Sequence, residues 1–113
     1  KPDMVMLSAG FDIYFQDPLG GMKVTPKGFG ILTRVLMDIA DACCGGRFVV
    51  TLEGGYHIEG LTQSIKVVLN EMVGATHIPA AEIDSVEQKA NPAIDAVLNT
   101  VIAQIKPFWK VFQ

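Results

Sequence analysis

Met4-Val5-Met6-Leu7 and Phe48-Val49-Val50-Thr51-Leu52 are the two stretches of sequence that decide the fold. Both are short and almost entirely apolar, a pattern typical of strands that are covered on both faces of a sheet. A helical pattern of apolar residues follows each of them. Strand, helix, strand, helix predicts an α/β fold: a parallel β-sheet with flanking helices and right-handed crossovers. Because two strands make a poor sheet by themselves, we expect this chain to complete a larger one.

Three helices are predicted from apolar residues that recur at helical spacing. The first begins at Pro26, after the capping residue Thr25, and ends at Gly45-Gly46. The second ends near Gly74, and the third begins at Asn91-Pro92. The apolar faces comprise Phe29, Leu32, Leu36, Ile39, Ala40 and Cys43 in the first helix, and Leu61, Ile65, Val68, Leu69 and Met72 in the second.

The predicted elements divide the chain into four parts. They are a strand-helix-strand-helix core over 1–78, a polar connection over 79–90, a C-terminal helix over 91–106 and a tail over 107–113. With 113 residues, the chain is one domain or a part of one. It opens with Lys1-Pro2-Asp3, without a starting Met, directly before the first strand. We therefore expect it to be a fragment of a single, larger domain.

Composition excludes several classes of function. Half of the residues are hydrophobic, which argues against disorder. The net charge of −3 comes without any basic stripe, so we expect no direct nucleic-acid binding. No apolar stretch is long enough to span a bilayer, and we expect no membrane association. Cys43 and Cys44 are sequence neighbours, which rarely form a disulfide, so we interpret them as small buried side chains in a cytoplasmic protein.

The candidate chemistry lies in two loops, Ser8–Val24 and Glu53–Tyr56, each of which follows a strand. Open parallel sheets bind ligands beyond the carboxyl ends of their strands. Asp12 could be a metal ligand or a general base, or it could cap a turn. Tyr56 could donate a hydrogen bond to an oxyanion, or it could pack under the Gly54-Gly55 turn. Residue types alone favour the structural interpretation in both cases.

Common nucleotide-binding and nucleophile motifs are absent. Gly20-Gly21 is not followed by the Gly-Lys-Ser/Thr of a phosphate-binding loop, and no Gly-x-Gly-x-x-Gly opens a helix. Ser8 is not part of a Gly-x-Ser-x-Gly elbow. Neither His57 nor His77 lies at metal-ligand spacing from another His or Cys.

Taken together, the loop motifs form a recognisable pattern. The motifs are Ser8-Ala9-Gly10-Phe11-Asp12, Asp17-Pro18-Leu19-Gly20-Gly21, Thr25-Pro26 and Leu52-Glu53-Gly54-Gly55-Tyr56. Their order and separation resemble the C-terminal region of class II-like histone deacetylases and their bacterial relatives, the acetoin utilization proteins and acetylpolyamine amidohydrolases. The resemblance runs from Lys1 to about Ile78. It implies an arginase/deacetylase-like fold, of which this chain holds the C-terminal β-α-β-α-α portion.

The resemblance also implies site roles. Asp12 would be one of three protein ligands to a catalytic zinc ion. Tyr56 would donate its hydroxyl to the substrate carbonyl and then to the tetrahedral intermediate. The residues that would support or line the mouth of the acyl-lysine channel, or lie along it, are Asp17, Pro18, Leu19, Gly54 and Gly55. The implied substrate is an acetylated lysine, an acetylated polyamine or another small acyl amide. The choice among them stays open, because Ile13-Tyr14 departs from the Ala-His of many bacterial members.

The family's paired histidines and its Asp-x-His zinc ligands belong to the part of the domain that would precede this chain. Asp12 alone offers too few ligands for a catalytic zinc site. We therefore expect the isolated chain neither to hold zinc tightly nor to deacetylate. It could also self-associate through surface that the missing strands leave bare. The alternative interpretation is a non-catalytic α/β binding or oligomerisation module derived from the same fold.

Overall fold

A computed structural model of the protein describes residues 2–112. Its elements are, in chain order, β1 (Val5–Ala9), α1 (Pro26–Cys44), β2 (Phe48–Leu52), α2 (Ile58–Met72), α3 (Ala80–Glu87), α4 (Ala93–Ile105) and a 3-10 helix (Lys110–Phe112). The chain divides into two compact units between Pro79 and Ala80. No helix within residues 2–112 is long and apolar enough to cross a membrane.

The two strands are parallel, which confirms the predicted α/β class. Val5 pairs with Phe48 at one end of the ladder, and Ala9 pairs with Leu52 at the other. The carboxyl ends of both strands therefore lie side by side. As a result, the segments that follow them, residues 10–24 (the first loop) and residues 53–57 (the second loop), start from neighbouring points.

Residues 2–79 cover only one face of the two strands, and the cover predicted for the other face would have to come from the rest of the larger sheet. Half-buried Val5, Leu7 and Ala9 alternate with exposed residues along β1, and Met6 is 71% exposed. Ala9 packs against the hydrophobic core. Because successive side chains of a strand point to opposite faces, Met6 and Ser8 lie on the opposite face, which no element within residues 2–79 covers.

The predicted helix boundaries are largely confirmed by local geometry. Thr25 Oγ1 accepts a hydrogen bond from the Gly28 N–H at 3.2 Å, and Pro26 opens α1. Gly45, at φ 63°, closes it in the left-handed region where glycine is favoured. The sequence did not predict α3, which lies in the segment interpreted as a polar connection and buries none of its residues.

The core is built partly from the first loop. Phe11, Tyr14, Phe29 and Val68 form one buried cluster, with the rings of Phe11 and Phe29 4.9 Å apart. Tyr14 lies against α2 at Gly60, where a Cβ atom would come within 2.3 Å of the ring. The first loop is thus held by the core rather than projecting freely from it.

The contact between α1 and α2 is more polar than predicted. Its buried residues include Thr33 and Arg34 on α1 and Ser64 and Glu71 on α2. Three residues assigned to apolar faces are instead partly exposed: Leu32 at 49%, Ile39 at 46% and Leu69 at 53%. The predicted apolar faces of the two helices are therefore buried only in part within the described residues.

Candidate active site

The two loops are joined by backbone hydrogen bonds directly after the sheet. The Glu53 N–H donates to the Ala9 carbonyl at 3.0 Å, and the Phe11 N–H donates to the Gly54 carbonyl at 2.7 Å. These bonds extend the pairing of β1 and β2 by a short distance. They bring the segment that carries Asp12 against the segment that carries Tyr56, as the parallel arrangement of the strands leads one to expect.

Asp12 is half-buried, and its carboxylate lies between two glycines. A Cβ atom on Gly10 would come within 2.9 Å of Oδ1, and one on Gly54 would come within 2.7 Å of Oδ2. Side chains at either position would compete with the carboxylate for space. The glycines therefore let Asp12 rest against the backbone of both loops.

Asp17 is buried, and its carboxylate accepts four backbone hydrogen bonds. Oδ1 accepts from Leu19 at 2.9 Å and Gly20 at 3.1 Å, and Oδ2 accepts from Tyr56 at 2.8 Å and His57 at 3.2 Å. Burial raises the pKa of Asp17, but the four N–H donors outweigh it and hold the pKa below its ordinary value. Asp17 is therefore an ionised structural anchor rather than a proton-transfer group.

Tyr56 presents its side chain to solvent, with 57% of its surface exposed, while its backbone is bound to Asp17. Gly55, just before it, has φ 143°, a conformation that other residues rarely adopt. A Cβ atom at Gly55 would also come within 2.9 Å of both Leu61 and Phe11. The backbone that delivers Tyr56 therefore requires glycine at this position.

His57 caps the amino terminus of α2, a role that sequence reasoning missed. Its Nδ1 accepts the Gly60 N–H at 3.0 Å, and its ring lies 5.3 Å from that of Tyr14. Imidazole is a less usual cap than Ser, Thr, Asp or Asn, which is why the spacing gave little signal. His57 thus fixes the start of α2 directly after Tyr56.

The remaining predicted site residues, Pro18 and Leu19, lie at the edge of the candidate site. Pro18 and Leu19 are exposed, Leu19 at 72%, next to the Asp17 anchor. Gly20, which the sequence analysis gave no role, packs against the Asp12 carbonyl so closely that a Cβ atom would overlap it at 1.5 Å. The structure thus brings Gly54 against Asp12 and joins Asp17 to Tyr56, while Leu19 extends outward.

Asp12 fits the chemistry of a single metal ligand, since it is a carboxylate at a strand end with no donor from residues 2–112 bound to it. Within that range, no group of three or more His, Cys, Asp or Glu side chains is arranged to hold a metal ion. A catalytic zinc site normally has three protein ligands. The described residues therefore supply at most part of such a site.

Comparison with known proteins identifies the family to which this chain belongs. A sequence profile of the histone deacetylase domain matches residues 1–72, which contain both strands, both loops, α1 and α2. The chain belongs to the histone deacetylase family. Within this family, it is 36% identical over 112 residues to polyamine deacetylase HDAC10 of Homo sapiens, covering 99% of the chain. It is 35% identical over 109 residues to histone deacetylase 15 of Arabidopsis thaliana, covering 96% of the chain.

A solved structure of the same family supports the fold. The crystal structure of the HDA15 HD domain matches 98% of this chain with a TM-score of 0.71 and 33% sequence identity. The match covers 27% of that domain's chain. The curated relatives are also much longer, since the chain spans 16% of human HDAC10 and 18% of Arabidopsis histone deacetylase 15.

Proposed function

We propose that this chain is the C-terminal segment of a zinc-dependent deacetylase, to which it contributes one zinc ligand, Asp12, and one oxyanion-stabilising group, Tyr56. The observation that carries the proposal is the joining of two loops at the carboxyl ends of parallel strands in a member of the histone deacetylase family. One loop brings a carboxylate to which no donor within residues 2–112 is bound, and the other brings an exposed phenol. Neither group is needed by the core.

The other zinc ligands and the groups that transfer protons would come from a longer polypeptide that includes this chain, called the whole protein below. The small share of its relatives that the chain spans supports this assignment. Made alone, the chain is expected to lose zinc on mild chelation and to show no deacetylase activity. It would also expose apolar side chains such as Met6 and Leu52, 71% and 60% exposed, through which it could self-associate.

A bound zinc ion would polarise the amide carbonyl and lower the pKa of a coordinated water. Asp12 would hold the metal with a carboxylate oxygen, placed by Gly10 and Gly54. Tyr56 would donate its hydroxyl hydrogen to the carbonyl oxygen, which becomes more negative as the amide is attacked. Because this hydrogen bond strengthens in the transition state, it would raise kcat more than it tightens substrate binding.

The substrate would be an acetyl-lysine-type or acetylpolyamine amide. One relative is named a polyamine deacetylase and another a histone deacetylase, and the chain is similarly distant from both. The sequence carries a net charge of −3 and contains no basic stripe, so we propose no direct binding of nucleic acid. The free thiols of Cys43 and Cys44 are consistent with a reducing compartment, and we propose a cytoplasmic location.

The test is deacetylation of an acetyl-lysine peptide and an acetylated polyamine by the whole protein and three variants. Asp12→Ala should abolish activity and lower the zinc content measured by elemental analysis. Tyr56→Phe should keep its zinc but lose about a hundredfold or more in kcat. Asp41→Ala, which removes an exposed carboxylate from α1, is the control and should retain both. A folded wild-type protein without zinc would instead favour a non-catalytic module.

A further inference from the structure

We propose that Asp17 is a positioning residue that holds Tyr56 in place for the reaction, an inference that rests on the proposed function. Four backbone N–H groups bind the Asp17 carboxylate, so it is not left open to a substrate. It is bound to the backbone of Tyr56 across 39 residues of sequence. Its effect on the reaction would therefore pass through the placement of the phenol.

The placement of Tyr56 depends on its backbone more than on packing of its ring. With 57% of the residue exposed, the ring has limited contact with the rest of the chain. The Tyr56 N–H and the next one, of His57, both donate to Oδ2 of Asp17. Two bonds to a single oxygen fix the Tyr56 backbone, whose Cα atom lies between the two donor nitrogens. Asp17 therefore determines where the tyrosine side chain leaves the second loop.

The other carboxylate oxygen ties Asp17 to the segment that packs on Asp12. Oδ1 accepts the N–H of Gly20, and Gly20 lies directly against the Asp12 carbonyl. One carboxylate thus connects the loop of the proposed oxyanion donor to the loop of the proposed metal ligand. The distance from the Tyr56 hydroxyl to a metal held by Asp12 would depend on this connection.

Only a carboxylate can satisfy this arrangement fully. All four bonds are donated to Asp17, and both of its oxygens are acceptors. An asparagine would have to turn its NH₂ group toward one of the two pairs of N–H donors, so one loop would be released. The negative charge also lies beside His57 at the amino terminus of α2, where the helix dipole favours it.

A shift of the phenol should lower kcat and leave KM nearly unchanged, because the Tyr56 hydrogen bond is strongest in the transition state. The experiment is a double-mutant cycle in the whole protein with Asp17→Asn, Tyr56→Phe and the double variant. Zinc content and thermal unfolding are measured for each. In the presence of Tyr56, we expect Asp17→Asn to lower kcat about tenfold or more, since small misplacements of catalytic groups have effects of this size. In the Tyr56→Phe background, its effect should fall below about twofold, because the group it positions is gone.

If Asp17→Asn lowered kcat equally in the presence of Tyr56 and in the Tyr56→Phe background, the inference would be overturned, since this would indicate a general structural effect. Full activity of Asp17→Asn beside an impaired Tyr56→Phe would also overturn it, while the proposed function would stand. A zinc-loaded wild-type protein that is inactive on both substrates would overturn the proposed function and this inference with it. Should Asp17→Asn not fold, Asp17→Glu enters the same cycle. Its extra methylene moves both acceptor oxygens away from the four N–H donors, so a loss of kcat that depends on Tyr56 is again expected.

Discussion

Arg34 Nε donates to Glu71 Oε1 at 2.7 Å, and this bond joins α1 to α2 through a buried ion pair. Glu71 is 0% exposed and also accepts the Thr76 hydroxyl at 2.7 Å and the Ile78 N–H at 2.9 Å. The carboxylate therefore links both helices to the segment that follows α2. A buried charge with this number of partners is tolerated because its hydrogen bonds replace those of water.

We predict that Glu71→Gln lowers the free energy of unfolding of the whole protein by about 3 kcal/mol, because it leaves the buried Arg34 charge with only the exposed carboxylate of Asp38 as a partner. Urea denaturation followed by circular dichroism would measure the change. Asp38→Asn is the matched control, since Asp38 pairs with the same Arg34 at 3.4 Å but its side chain is 58% exposed. That substitution should lower the free energy of unfolding by less than about 1 kcal/mol. Equal losses of unfolding free energy in both variants would mean that burial does not determine how much each ion pair stabilises the protein.

Stability should also depend on pH through Glu71. Burial raises the pKa of Glu71, but the Ile78 N–H and the hydrogen bonds from Thr76 and Arg34 together hold it below its ordinary value. A carboxyl group whose pKa is lowered by folding adds stability above its unfolded pKa and loses that contribution as pH falls through the folded one.

We therefore predict that the stability difference between wild type and Glu71→Gln is constant near neutral pH and shrinks below the ordinary glutamate pKa, about 4.3. Denaturation curves of both proteins across a pH series would measure it. Other carboxylates titrate equally in both proteins and cancel in the difference. A gap that stays constant far into the acid range would contradict the assignment of this dependence to Glu71.

Local features of the fold were predictable from the sequence. The boundaries of α1 follow from residue types alone, because its capping residues Thr25, Pro26 and Gly45 lie within one turn of the helix ends. The parallel pairing of the strands followed from their separation by a helix. The Arg34–Glu71 pair was not predictable, because charged residues are normally assigned to the solvent face and these two lie 37 residues apart.

In the candidate site, too, the residues were predictable from the sequence but their long-range contacts were not. Asp12 and Tyr56 were identified through a motif resemblance that specifies residues but no contacts. The bonds from Tyr56 and His57 to Asp17 join positions 39 and 40 residues apart, and only the folded chain shows them. Asp before Pro is also a common turn former, so its sequence context favoured a local role.

Gly54 gives the sharpest test of the proposed metal ligand, because its absent side chain is what leaves room for Asp12. A Cβ atom on Gly54 would lie 2.7 Å from Oδ2 of Asp12 and 3.1 Å from its Cγ, distances that force the carboxylate to move. Gly21 offers a matched control in the neighbouring loop, since a Cβ atom there would meet nothing within 4 Å. Neither glycine has the positive φ that would penalise alanine by itself.

We predict that Gly54→Ala weakens zinc binding by the whole protein and lowers deacetylation by about a hundredfold, the size expected when a reacting group is misplaced by about 1 Å. Competition with a chelator would measure the affinity, and a steady-state assay the activity. Gly21→Ala should match the wild type in both, which separates displacement of Asp12 from a general effect of adding a methyl group to a loop. A Gly54→Ala protein with unchanged zinc affinity would contradict the assignment of Asp12 as the metal ligand, since the flexible carboxylate is the group that the added methyl group displaces most easily.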